Sequence, residues 1–74
     1  MEQARPLDAL NRARDKRVII DLKNKIQLIG TLKAFDIHIN CVLEDVEEKV
    51  EGESTRKLGT VFVRGDTIVT LSTE

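Results

Sequence analysis

The sequence has few of the residues that usually reinforce a small domain. Its 74 residues include no Trp, no Tyr, two Phe, one His and a single cysteine, Cys41. One cysteine excludes an internal disulfide, and one cysteine with one histidine is too few for a four-ligand zinc site. Because the chain has no Trp, no Tyr and only two Phe, its core must be aliphatic and thin. Self-association is the reinforcement that remains for a chain of this length.

Long apolar runs are also missing. No run approaches the ~18 residues that a membrane span needs, and residues 1–10 lack the apolar core of a signal peptide. We therefore expect a soluble, cytoplasmic protein that has no membrane partner.

Neither sign of charge dominates, because the net charge is −1. Residues 1–40 carry 8 Lys or Arg against 5 Asp or Glu, residues 41–57 carry 3 against 6, and residues 58–74 carry 1 against 2. A broad basic surface is thus excluded. If the chain binds nucleic acid, a few specific contacts repeated by symmetry must hold it.

The chain begins with the signals of a short helix. Pro6 suits the first helical position, where a backbone N–H is unpaired in any case. Leu7 and Leu10 share one side, and Asn11 is a candidate left-handed stop. We predict one to two turns that lie over the open end of a barrel.

The rest of the chain predicts five antiparallel strands, because apolar residues alternate with polar ones. They cover residues 18–23, 26–35, a third strand that ends near Glu47, 58–63 and 67–72. Gly30 predicts a sharp bend in the second strand, which lets one strand serve two faces of a small barrel. We expect a single domain over residues 1–74, with disorder at 1–4 and a charged hairpin loop at 48–56.

Two polar clusters are candidates for a binding site. In residues 33–44 alternation predicts an unbroken strand whose outer face carries Asp36, His38 and Asn40. Arg64 and Asp66 form the second cluster, in a short turn near the other end of the chain. The first three residues would also suit a strand face that is simply solvated.

These segments resemble the two motifs of the Sm-like (LSm) proteins, most closely the short archaeal kind. The first motif is matched by residues 18–23, 30–32, 35–40, 42–43 and Asp45, and the second by residues 58–69. The resemblance implies a mainly β fold, in which a short N-terminal helix precedes a strongly bent, five-stranded antiparallel SH3-like barrel, the Sm fold. It also implies a tight turn at residues 37–40 in place of the unbroken strand.

The resemblance further implies a homo-oligomeric ring around a pore. The fourth strand of one subunit would pair with the fifth strand of its neighbour, and archaeal relatives of this kind form rings of seven. Independent reasoning agrees, since ring closure removes the two open sheet edges of a small barrel.

By residue-for-residue match, the resemblance places an RNA site at His38, Asn40, Arg64 and Asp66, facing the pore. Its ligand would be single-stranded, uridine-rich RNA, in RNA processing or as an RNA chaperone, and no cofactor or metal is implied. The imidazole and the guanidinium can stack on a base, and the amide of Asn40 can match the uracil edge. We hypothesise that Asp66 accepts a hydrogen bond from Asn40 or Arg64 and so fixes the uracil preference.

Two other functions remain open from the residues alone. His38 near Asp36 could act as an acid–base pair, although no nucleophile motif, metal-ligand set or phosphate-binding glycine loop accompanies it. A barrel of SH3-like shape could instead be a protein-interaction or assembly module without specific RNA binding, because fold does not dictate function.

Overall fold

The computed structural model describes residues 6–73, so the disorder expected at residues 1–4 lies outside the described part. The helix and strands are α1 (Pro6–Ala13), β1 (Arg17–Leu22), β2 (Ile26–Phe35), β3 (Cys41–Val50), β4 (Glu53–Leu58), β5 (Val61–Val63) and β6 (Ile68–Thr73). Two short 3-10 turns, Lys23–Lys25 and Gly65–Thr67, connect β1 to β2 and β5 to β6. Among the described residues, no helix is long and apolar enough to cross a membrane.

The strands form one bent antiparallel sheet. Its order is β4-β3-β2-β1-β6, and β5 pairs with the first residues of β3, beside β4. In residues 6–73, β4, β5 and β6 each pair with one strand only, so each leaves one edge open. The predicted mainly β fold with one N-terminal helix is confirmed.

Gly30 produces the predicted bend. The register between β2 and β3 shifts between Ile29 and Thr31, opposite the left-handed residue Asp45, whose φ is 53°. A Cβ at Gly30 would lie 2.8 Å from Cγ2 of Val46. The same Cβ would lie 3.1 Å from the carbonyl oxygen of Glu44, so a larger residue at the bend would press on both β3 groups.

Two boundaries differ from the prediction. The strand expected over residues 58–63 is divided at Gly59 and Thr60, so the described residues 6–73 form six strands where five were predicted. The loop expected at residues 48–56 is mostly strand, with only Glu51 and Gly52 forming the turn. Charged residues pair across this hairpin, with Arg56 Nε 2.8 Å from Glu48 Oε1. Because both faces carry polar groups, the hairpin lacks the apolar alternation that signals a strand.

The helix is longer than predicted and covers an aliphatic core. It ends at Ala13, which is buried, and the left-handed residue that follows is Asp15 (φ 66°), not Asn11. The fully buried aliphatic side chains, all at most 1% exposed, are those of Val18, Ile20, Leu32, Leu43 and Val46. Cys41 is buried among them, as expected, and this burial raises the pKa of its thiol.

Candidate functional site

Two turns at one end of the sheet bring the predicted site residues together. His38 and Asn40 lie in the turn between β2 and β3, and Arg64 and Asp66 lie in the turn between β5 and β6. All four, with Gly65, line one cleft of about 430 Å³. The tight turn implied by the family resemblance is confirmed, and the unbroken strand expected from alternation is wrong.

Asp36 closes the first turn. Its Oδ1 accepts hydrogen bonds from the backbone N–H groups of His38 (2.8 Å) and Asn40 (3.1 Å). Asp side chains commonly form turns by bonding nearby backbone in this way, which overrides the strand pattern. A hydrogen bond from the Asn40 side chain, followed by the two backbone N–H groups, lowers the pKa of Asp36 below its usual value.

The side-chain amide of Asn40 is held in one orientation. Its Nδ2 donates to Oδ2 of Asp36 at 3.0 Å, and its Oδ1 accepts the backbone N–H of Gly65 at 2.7 Å. A carboxylate can only accept and an N–H can only donate, so these two partners do not permit the flipped amide. One N–H and one oxygen lone pair of Asn40 remain for a ligand.

Sequence reasoning missed the residues that hold Asn40. Our hypothesis was that Asp66 accepts a hydrogen bond from Asn40 or from Arg64, and its Oδ2 accepts from Arg64 Nη2 at 3.1 Å. Asp36 and the Gly65 backbone hold Asn40 in its place. The signal for Asp36 was its residue type, because an Asp side chain favours a turn closed by its own carboxylate.

Gly65 allows the two turns to touch. A Cβ at this position would overlap the carbonyl oxygen of His38 and would lie 2.9 Å from the carbonyl carbon of Ile39. Any other residue would push the turns apart. Gly65 is therefore required for the cleft itself.

Arg64 is accessible at the rim of the cleft. Its side chain is 81% exposed and that of Asp66 is 66% exposed, so their ion pair is largely solvated. Such surface pairs contribute little to stability. Thr67 fixes the backbone of the turn, because its Oγ1 and its N–H both donate to the Arg64 carbonyl, at 2.7 and 3.1 Å. The guanidinium is thus presented on a fixed backbone with its planar face open to a ligand.

The family follows from comparison with known proteins. The sequence matches the family model of the LSM domain over residues 8–73. The chain belongs to the LSM family. An snRNP Sm-like protein of Archaeoglobus fulgidus is 52% identical over 68 residues, which cover 92% of this chain and 88% of that relative.

Solved structures of Sm proteins agree with this LSM assignment. The Sm protein of Pyrococcus abyssi, solved in complex with a uridine heptamer, superimposes with a TM-score of 0.90 at 38% identity, covering 96% of this chain and 100% of that one. The SmAP1 heptamer of P. aerophilum gives a TM-score of 0.89 at 33% identity, covering 99% and 97%. These similarities confirm the Sm fold for the chain.

Proposed function

We propose that this LSM protein forms a homo-oligomeric ring that binds single-stranded, uridine-rich RNA through the cleft of His38, Asn40, Arg64 and Asp66. The observation that carries the proposal is the convergence of these four residues on one cleft in which the amide of Asn40 has a fixed orientation. The likeness to the P. abyssi protein in complex with a uridine heptamer supports it. Such a ring would act in RNA processing or as an RNA chaperone.

The preference for uracil follows from the one N–H and the one oxygen lone pair of the Asn40 amide that remain for a ligand. The remaining N–H can donate to O4 of uracil while the remaining lone pair accepts from N3–H. Cytosine presents the opposite pattern, an N4 donor and an N3 acceptor, which would require the flipped amide. His38 and Arg64 supply flat groups on which the unstacked base can lie.

Ring formation is supported by the open edges of β5 and β6. Phe62 on β5 is 79% exposed and Val69 on β6 is 62% exposed, so each of these strands leaves a large apolar side chain in water. Pairing β5 of one copy with β6 of the next would cover both residues and both edges. We propose seven copies, as in the related P. aerophilum heptamer.

The ring also supplies affinity that one cleft lacks. A stacked base contributes about 1–3 kcal/mol, which alone gives binding no tighter than the millimolar range. Identical clefts that bind successive nucleotides of one strand raise the affinity without new contacts. Heptauridine is therefore expected to bind far more tightly than uridine monophosphate, and equal affinities would contradict the proposal.

The test is titration of labelled heptauridine and heptacytidine with the wild-type ring and three variants. His38→Ala and Arg64→Ala are expected to raise the Kd for heptauridine at least tenfold, because each removes a stacking group. Arg56→Ala is the matched control, since Arg56 is also exposed and ion-paired but lies on β4, outside the cleft. An intact ring that does not bind heptauridine would favour the alternative function, a protein-interaction module without specific RNA binding.

We further propose that the cleft binds RNA without cleaving it. The Asp36 carboxylate already accepts three N–H groups, from the backbone of His38 and from the backbone and side chain of Asn40, so it is poorly placed to serve as a base. Labelled RNA incubated with the protein should be recovered intact. Fragments that appear with the wild type and not with His38→Ala would contradict this.

A further inference from the structure

Residue 39 has an unusual backbone conformation at the centre of the site. Ile39 lies between His38 and Asn40 and has a φ of 62°. The left-handed region is normally occupied by Gly or Asn, and it is least favourable for β-branched residues such as Ile. A residue in this conformation persists only where its surroundings hold it there.

The surroundings hold Ile39 by its side chain. Unlike His38 and Asn40, which are exposed, Ile39 is half-buried and packs against the core. It lines a second cleft together with Leu10 of α1 and Leu71 of β6. Its N–H also donates to the carbonyl of Asp36 at 3.0 Å, which closes the turn.

We propose that Ile39 is a positioning residue of the RNA site, whose inserted side chain holds the left-handed turn that presents His38 and Asn40 to the cleft. The proposal rests on the proposed function, because it concerns the same site. The proposal also gives helix α1 a role in RNA recognition, because Leu10 of α1 and Ile39 line the same cleft. Loss of the inserted side chain lets the backbone leave the disfavoured conformation. Asn40 Oδ1 then moves away from the N–H of Gly65, and the hydrogen bond between them is lost.

The decisive variant is Ile39→Ala, which removes the inserted side chain but keeps a Cβ that disfavours the left-handed turn. We expect the Kd for heptauridine to rise at least tenfold and the preference over heptacytidine to fall. Hydrogen exchange of the Gly65 amide, which is bonded to Asn40 Oδ1, should accelerate without RNA. Ile39→Met keeps a long apolar side chain without the β-branch, and it should bind heptauridine within twofold of wild type.

Ile26→Ala is the matched control. Ile26 is also a half-buried isoleucine, but it lies at the far end of β2 with an ordinary extended backbone, φ −98°. We expect this variant to have a lower Tm, with the heptauridine Kd within twofold of wild type and unchanged exchange at Gly65. If Ile39→Ala does not fold, Ile39→Val replaces it, because valine shortens the inserted side chain and keeps the β-branch that disfavours positive φ. Ile39→Gly serves as a further control: glycine has no penalty for positive φ, so it should retain more heptauridine binding than Ile39→Ala.

The outcomes separate the two proposals. The inference would be overturned if Ile39→Ala lowered the Tm as Ile26→Ala does but kept the wild-type Kd, base preference and exchange rate of the Gly65 amide. Ile39 would then only pack against the core. A wild-type ring that does not bind heptauridine would refute the proposed function. In that case the exchange of the Gly65 amide still decides whether Ile39 positions Asn40.

Discussion

Replacing Gly65 by alanine should abolish the cleft while leaving the core intact. The new Cβ would overlap the carbonyl oxygen of His38 and would lie 2.9 Å from the carbonyl carbon of Ile39 and 3.0 Å from that of His38. The overlap with the carbonyl oxygen is the closest of these contacts, so the two turns must separate by more than about 1 Å to reach ordinary van der Waals distances. The hydrogen bond from Gly65 N–H to Asn40 Oδ1, now 2.7 Å, would then be weakened or lost.

The expected consequence for RNA binding is large because it would be repeated around the proposed ring. A stacked base contributes about 1–3 kcal/mol per protomer. If only two protomers in contact with one strand each lose about 1.4 kcal/mol, the Kd already rises a hundredfold. We therefore expect Gly65→Ala to raise the heptauridine Kd by at least a hundredfold and to reduce the preference over heptacytidine.

Fluorescence anisotropy with labelled heptauridine measures this change, and light scattering confirms that the ring is present. Gly59→Ala is the matched control, because no atom of the described residues lies within 4 Å of a Cβ built there. It should bind within twofold of wild type. A Gly65→Ala ring of normal mass that binds heptauridine as tightly as wild type would refute the reasoning that contact between the turns builds the site.

Three further predictions concern base choice, assembly and acid stability. Asn40→Asp removes the side-chain donor, so it should weaken heptauridine binding more than heptacytidine binding, and losses by equal factors would count against the fixed-amide argument. Phe62→Ser should shift the mass at micromolar concentration from ring towards monomer, whereas Ile37→Ser, at a residue 72% exposed but on a turn, should keep the ring. A wild-type mass for Phe62→Ser would exclude the β5 edge as the interface. Hydrogen bonds from Thr70 (2.6 Å) and then Gln27 (2.7 Å) lower the pKa of Asp21 below its usual 3.8. Because the folded-state pKa is the lower one, this stabilisation is present above pH 3.8 and is lost as the pH falls through the folded-state value. As the pH falls below about 4, the Tm of Asp21→Asn should therefore decrease less steeply than the Tm of the wild type. Identical slopes would contradict the stabilising role of the Asp21 carboxylate.

Sequence patterns predicted the apolar strands well because burial on one face imposes a period of two. Val18 and Ile20 of β1 are fully buried, as the alternation indicated, and Gly30 bends β2 where expected. The same reasoning failed at the hairpin of β3 and β4. Its strands are held by cross-strand charge pairs such as that of Glu48 with Arg56, and such pairs leave no apolar period to detect.

The identities of the site residues came from motif resemblance, while their arrangement did not. Period-two alternation placed Asp36, His38 and Asn40 on one strand face, but the carboxylate of Asp36 closes a turn there. The contact of Gly65 with Asn40 joins residues 25 positions apart, and nothing in the local sequence predicts it. Long-range hydrogen bonds of this kind depend on how the strands pack, so the structure was needed to find them.

Stability and RNA affinity are coupled in the proposed ring. The domain is small, its core is aliphatic, and the open edges of β5 and β6 carry the exposed residues Phe62 and Val69. The proposed assembly would cover apolar surface that the monomer leaves in water. A single cleft holds one base weakly, so the same assembly also provides the multiplicity that makes binding tight. A change at the β5 edge should therefore weaken heptauridine binding without touching any residue of the cleft, and it should leave binding of a single nucleotide unchanged.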